Sequence, residues 1–162
     1  MASTSHSPGT VNMRLAHMDE LAAIMDIERR AHSHPWSEAV MVQYLQRPAS
    51  VWVLQQGGAL LGHAVIRVIA GEGELLTIAV DPKHHGQGFG QQLLRAVLQQ
   101  FIQQGAEQCF LEVRRSNTPA IDLYERVGFA CAGVRKDYYP SAHGREDALI
   151  YCLDLRGYDD LV

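Results

Sequence analysis

The chain has 162 residues, which suits one domain able to bury roughly two-thirds of the surface its unfolded form would expose. Fourteen Lys and Arg against eighteen Asp and Glu leave a net charge of -4, whereas a nucleic-acid footprint is normally basic, so no nucleic-acid partner is expected. The mild acidity suits a cationic peptide or amine instead.

The opening MASTSHSPGTVN has neither the basic start nor the apolar core of a secretory signal. Residues 1–12 therefore read as a flexible arm ahead of one domain over 13–156, with 157–162 as a tail. The longest nearly apolar run, ALLGHAVI, is far below the ~18 residues that span a bilayer, so no membrane association is expected. VNMRLA suggests a short strand, and from His17 to Ala31 the apolar residues Leu21, Ile24, Met25 and Ile27 or Glu28 recur at helical spacing. HSHPWSE interrupts this helix, and a second short one runs to about Arg47. SVWVLQQGGALLGHAVIRVIA reads as two strands joined at Gly57-Gly58, and GEGELLTIAVD as a third, hairpin-connected through Gly71 and Gly73 and ending at Asp81-Pro82.

From Gln91, residues Leu93, Leu94, Val97, Leu98, Phe101 and Ile102 form one helical stripe that Gly105 can cap. QCFLEV is the next strand. Asn117 or Thr118 can cap the following helix, Pro119 fits its first turn, and Gly128 closes it. Ala130 to Tyr139 and Asp147 to Leu155 read as strands around a polar loop, PSAHGRE. Consecutive strands with helices interspersed predict an α/β fold with a mixed sheet. Cys109, Cys131 and Cys152 are odd in number and lie in apolar stretches, which predicts buried, reduced thiols and a cytoplasmic protein. Eight histidines include the pairs His32/His34 and His84/His85, but no third ligand has suitable spacing, and no metal is expected.

HHGQGFGQQLL places Gly86, Gly88 and Gly90 between a strand and a helix, where unpaired backbone N–H groups stabilise an anion. A nucleotide-triphosphate loop would need Lys and then Ser or Thr after the last glycine, and Gln91-Gln92 stand there. A dinucleotide loop would need a glycine where Gln91 or Leu93 falls.

AVDPKHHGQGFGQQLL resembles the acyl-CoA signature of the GCN5-related N-acetyltransferases (GNAT), with His85 where the family usually carries Arg or Gln. The resemblance continues through LEVRRSNTPAIDLYERVGF, RKDYYPSAHGREDALIYCLDL and AHSHPWSE, over about residues 14 to 155. These segments look most like the family members that acetylate the N-terminal alanine of a ribosomal protein, the eighteenth of the small subunit, by direct attack in a ternary complex. A lysine or small-amine acetyltransferase of the same fold and a non-catalytic acyl-CoA-binding module are the alternatives. The resemblance implies a single GNAT domain, acting as a monomer. Its mixed, mostly antiparallel sheet would have six to seven strands, helices on both faces, and a splayed parallel strand pair that binds acetyl-CoA.

By the same resemblance, the backbone at Ile78, Ala79 and Val80 and the loop Gly86, Gln87, Gly88, Phe89, Gly90 and Gln91 contact the cosubstrate, with Asn117 hydrogen-bonded to it. A backbone N–H near Ile78 or Ala79, at a strand irregularity, would meet the oxyanion. Glu112 is the candidate base and Tyr124 the acid for the departing thiolate, although a half-exposed strand carboxylate and a core tyrosine also fit these positions. A glutamate of pKa ~4.3 is a weak base for an α-ammonium of pKa ~7.8, a mismatch that burial would narrow. Trp36, Tyr138, Tyr139 and Arg145 are candidates to line the peptide's path, and Glu28 or Asp147 to attract a basic N-terminal segment.

Overall fold

β-Branched and apolar residues dominate the middle of the chain, and they form its central strands. The computed structural model describes residues 9–158. Residues 1–8 of the expected arm and 159–162 of the tail lie outside the described residues, while Val11 and Asn12 already belong to the first strand.

The strands are β1 (Val11–Leu15), β2 (Val51–Gln56), β3 (Ala59–Ile69), β4 (Glu72–Val80), β5 (Gln108–Arg114), β6 (Ala130–Ser141) and β7 (Gly144–Asp154). The helices are α1 (Leu21–Ala31), α2 (Glu38–Leu45), α3 (Phe89–Gln103) and α4 (Thr118–Val127). All seven strands join one sheet in the order β1-β2-β3-β4-β5-β7-β6. Every neighbouring pair is antiparallel except β4 and β5.

Helices cover both faces, as expected. The stripe Leu93, Leu94, Val97, Leu98 and Phe101 of α3 is fully buried with Tyr124 and Val127 of α4 against one face. Ile24 and Met25 of α1 and Met41 of α2 pack on Val51, Val53 and Val65 on the other. Each helix is limited by the chemistry of its ends. Ser37 caps α2 by accepting the Val40 N–H, Asn117 caps α4 by accepting the Ala120 N–H, and Gly128 ends α4 at φ 122°.

Three expectations need correction. The β3–β4 turn uses Ala70 and Gly71, both at positive φ, whereas Gly73 lies inside β4, where a Cβ would sit 2.6 Å from the Phe101 ring. PSAHGRE is no open loop: β6 continues through Pro140 and β7 starts at Gly144, with Ser141 opposite Gly144. Proline is tolerated because β6 is an edge strand. Of the thiols, Cys109 is buried and its pKa is pushed up to about 12 by burial, but Cys131 is exposed on that edge.

The feature that positions the site is an early end to the parallel pair. Its four registers run from Glu72↔Gln108 to Leu75↔Leu111. At that point β4 carries a bulge: Leu75 faces Ile66 and Thr77 faces Val65, leaving Leu76 as the extra residue. Thereafter Thr77–Val80 follows β3 while Glu112–Arg114 follows β7. This is the expected splay, with the irregularity at Leu76 rather than at Ile78 or Ala79.

Close packing of Gly73 predicts that Gly73→Ala, which must displace a buried ring, destabilises the fold by about 1–3 kcal/mol. Chemical denaturation of the two proteins checks this.

Candidate active site

The split between β4 and β5 removes the hydrogen-bond partners that each strand's inner edge would have in a continuous sheet. Backbone donors and acceptors left in this way must be met by a ligand or solvent. Ile78, Ala79 and Val80 lie on this stretch of β4, opposite Ala64, His63 and Gly62 of β3. Gly62 is required there, since a Cβ would come within 2.4 Å of the Ala79 carbonyl oxygen.

β4 leads through Asp81 and a short 3-10 turn, Pro82–His84, into the glycine loop and α3. Arg30 of α1 fixes this corner by reaching both oxygens of Asp81, at 2.7 and 3.0 Å. Asp81 also accepts the Lys83 N–H, and these donors hold its carboxyl well below the usual range. Gly86 and Gly88 adopt φ 79° and 81°, a left-handed conformation that favours glycine. The first α-helical hydrogen bond of α3 runs from Gln92 N–H to Gly88 O, so the N–H groups of Phe89, Gly90 and Gln91 precede the helical ladder. Donors without helical partners at the N-terminus of a 15-residue helix fit a pyrophosphate.

His85 turns away from that purpose. Its Nε2 donates to the Val80 carbonyl at 3.0 Å, so the imidazole braces the loop against β4 and leaves the anion to backbone donors.

The other lip carries the candidate chemistry. Glu112 is the first residue of β5 past the last parallel pair, on the face opposite Leu111 and Val113, whose side chains enter the core beside α3 and α4. It is partly exposed rather than buried and forms an ion pair with Arg135 of β6 at 2.9 Å. Arg135 also lies over the Tyr138 ring, 5.4 Å from its centroid. Tyr124 projects from α4 into the core beside Phe129 and Tyr151, and burial raises its phenol pKa, which keeps it protonated as a proton donor must be. Asn117 spends its side-chain oxygen on the α4 cap and retains its amide N–H donors for a ligand.

Tyr138 and Tyr139 are placed by a second irregularity. Between Arg135↔Ala148 and Tyr139↔Glu146, three residues of β6 face one of β7, and Asp137 takes φ 53°. The Asp137 N–H donates to Asp147 Oδ1, and Arg145 donates to the carbonyls of Asp137 and Tyr138 at 2.7 and 3.0 Å. Arg145 and Asp147 therefore build the bulge that presents the tyrosines. Tyr139 is half-buried, stacked under Arg114, and its pKa is raised by burial and by the Glu112 carboxylate.

On the α1 side, the Trp36 ring packs against Tyr44, 5.2 Å between centroids. Glu28 is 1% exposed and hydrogen-bonded, so it does not attract a peptide from solution. Sequence reasoning missed Arg135, although RKDYY contains it, because its pairing with Glu112 depends on the registers of β5 and β6 against β7.

A strand pair splayed over a glycine-rich helix N-terminus, with the partly exposed Glu112 carboxylate on one lip, fits the groove of an acyl-CoA-dependent transferase. The chain belongs to the acetyltransferase (GNAT) family, whose model matches residues 21–129. It is 40% identical, over 84% of its length and 92% of the relative's, to the [ribosomal protein bS18]-alanine N-acetyltransferase of Escherichia coli strain K12. The crystal structure of the ribosomal-protein-S18-alanine N-acetyltransferase from Escherichia coli has a TM-score of 0.84 and 36% identity, over 94% of this chain and 99% of that one. A NatC complex solved with Gag peptide and CoA shares the fold at TM-score 0.75 and 20% identity, over 89% of this chain and 98% of that one.

Two substitutions probe the lips. Were Glu112 to receive an acceptor ammonium, that charge would have to displace the Arg135 guanidinium from an exposed and therefore weak pair, so Arg135→Gln is expected to lower the KM for a peptide acceptor by about two- to fivefold. Steady-state kinetics should show an unchanged KM for acetyl-CoA. His85→Arg should tighten acetyl-CoA binding several-fold in calorimetry, by adding a full charge that reaches past the Val80 carbonyl. Unaltered affinity would mean that position 85 serves the strand alone.

Proposed function

We propose that this chain transfers acetyl from acetyl-CoA to the N-terminal alanine of ribosomal protein bS18, in the cytoplasm and in a ternary complex. The observation that carries the reading is the extent of the likeness to a protein named for that reaction, which at 136 residues takes in most of the domain.

The groove fits the cosubstrate. The split offers an extended pantetheine arm the unpaired edges of β4 and β5, and the start of α3 offers a pyrophosphate its free N–H groups. Acetyl-CoA bound there supplies an activated acyl group. The Glu112 carboxylate accepts a proton from the acceptor ammonium, directly or through a water. At pH 7.4 about a quarter of an α-amine of pKa ~7.8 is already neutral, against roughly one in a thousand for a lysine of pKa ~10.4, so a modest base suffices for a protein N-terminus. Backbone N–H groups near Ile78 and Ala79 face the negative charge that builds on the acyl oxygen. The Tyr124 phenol, kept protonated by burial, donates to the departing sulfur.

Transfer is direct. Cys109 precedes Leu111 in the paired part of β5, below the split, and its thiol is held protonated by burial.

The test is to incubate the protein with acetyl-CoA and a mixture of alanine-starting, other N-terminal and lysine-containing peptides, and to locate the added acetyl by mass spectrometry. Acetyl on the alanine α-amine is expected, and modification of lysine alone would overturn the reading. Tyr124→Phe should lower kcat by about 100-fold or more with acetyl-CoA affinity retained, and Glu112→Gln should flatten the pH profile.

A further inference from the structure

α1 carries a carboxylate on its apolar face. Glu28 falls in register with Leu21, Ile24 and Met25 and is 1% exposed. A charge in such a place is destabilising unless several donors surround it, and an apolar side chain of similar volume would serve packing as well. The donors come from three separate parts of the fold. His63 of β3 donates from Nε2 to Glu28 Oε1 at 2.9 Å, and its ring is fully buried with no partner for Nδ1 among the described residues. The Trp36 N–H donates to Oε2 at 3.1 Å. Thr77 Oγ1 lies 3.4 Å from Oε1 and also 3.4 Å from His32 Nε2, and His32 is itself 3.8 Å from Oε1. Burial alone would push the Glu28 carboxyl upward, but these partners together hold it below its ordinary range, and it remains charged.

Two of the partners belong to the site. Thr77 is the residue at which β4 resumes pairing after the bulge, one position before Ile78. Trp36 lies near the end of the segment 32–37 that joins α1 to α2, packed on the α1 face of the sheet. We infer that Glu28 is a positioning residue: its two oxygens set the acceptor wall at Trp36 against the split end of β4 at Thr77, and so hold an incoming peptide in register with the acyl group. The inference rests on the reaction proposed above and adds a residue through which it selects a peptide over a small amine.

The chemistry of Glu28→Gln makes the inference testable. An amide keeps one acceptor oxygen where two donors, the His63 Nε2–H and the Trp36 N–H, now require one each. If the Gln oxygen keeps Trp36, its NH2 faces the His63 Nε2–H, and relief requires moving the ring proton to Nδ1, where no partner waits. One end of the link must loosen.

The experiment compares an alanine-starting hexapeptide with alaninamide as acceptors, measuring kcat and KM for each together with the acetyl-CoA dissociation constant. Wild type should prefer the hexapeptide. Glu28→Gln should lose about 10- to 100-fold in kcat/KM on the hexapeptide, less than about twofold on alaninamide, and leave acetyl-CoA affinity unchanged. Thr77→Val removes only a partly exposed hydroxyl and keeps the β-branched volume, so it preserves the test should Glu28→Gln fail to fold. It should move the same preference by a few-fold. Equal losses on both acceptors, or a lowered melting temperature with the preference intact, would overturn the inference. A wild type inert toward both acceptors would overturn the underlying reaction as well, whereas an active wild type with unaltered variant preference would overturn this inference alone.

Discussion

The parallel contact between β4 and β5 lasts for only four registers, and the rest of the molecule is arranged around its failure to continue. Each strand has a second neighbour that keeps it straight: β3 holds β4 on one side and β7 holds β5 on the other. The bulge at Leu76 adds one residue to β4, increases its local twist, and separates two strands that could otherwise have zipped to their ends. Sheet interiors rarely leave backbone groups unmatched. Here the mismatch lies in the middle of the sheet, flanked by helices, where a bound molecule rather than bulk water can satisfy it.

The helices inherit their usefulness from that geometry. α3 follows β4 and α4 follows β5, so both N-termini start at the end of the sheet where the strands part. In α/β proteins this is the end at which ligands gather, because loops and helix dipoles converge there. One N-terminus is opened by left-handed glycines and offers backbone donors to an anion. The other is closed by Asn117 and carries Tyr124 two turns later, in a setting dry enough to retain its proton. The two lips thus differ in electrostatic character, with dipoles for phosphate on one and a carboxylate with its guanidinium partner on the other.

Local features were legible in the sequence and register was not. The α3 stripe, the Gly57-Gly58 hairpin, the Asn117 cap and the glycine loop each depend on residues close together in the chain, so spacing and turn chemistry found them. The candidate residues Glu112 and Tyr124 came from family likeness, since an acid on a strand and a tyrosine on an amphipathic helix are otherwise ambiguous. Leu76 carries no mark of a bulge, because an extra residue is defined only against the opposing strand. PSAHGRE looks like a loop by composition, yet β6 and β7 pair across it because an edge strand tolerates Pro140. Glu28 did leave a trace: helical spacing admitted either Ile27 or Glu28 to the apolar stripe, and both prove buried.

The two separate apolar clusters have a consequence for how such a protein can change over time. The cluster under α3 and α4 supports the glycine loop, the split and Tyr124, while the smaller one under α1 and α2 supports the segment around Trp36. The family model ends at residue 129, before the strand that bears Arg135, Tyr138 and Tyr139. The two faces of the sheet are thus packed by separate clusters, bridged at the groove by Glu28 between Trp36 and Thr77. Away from that bridge, substitutions on one face can accumulate with little effect on packing at the other.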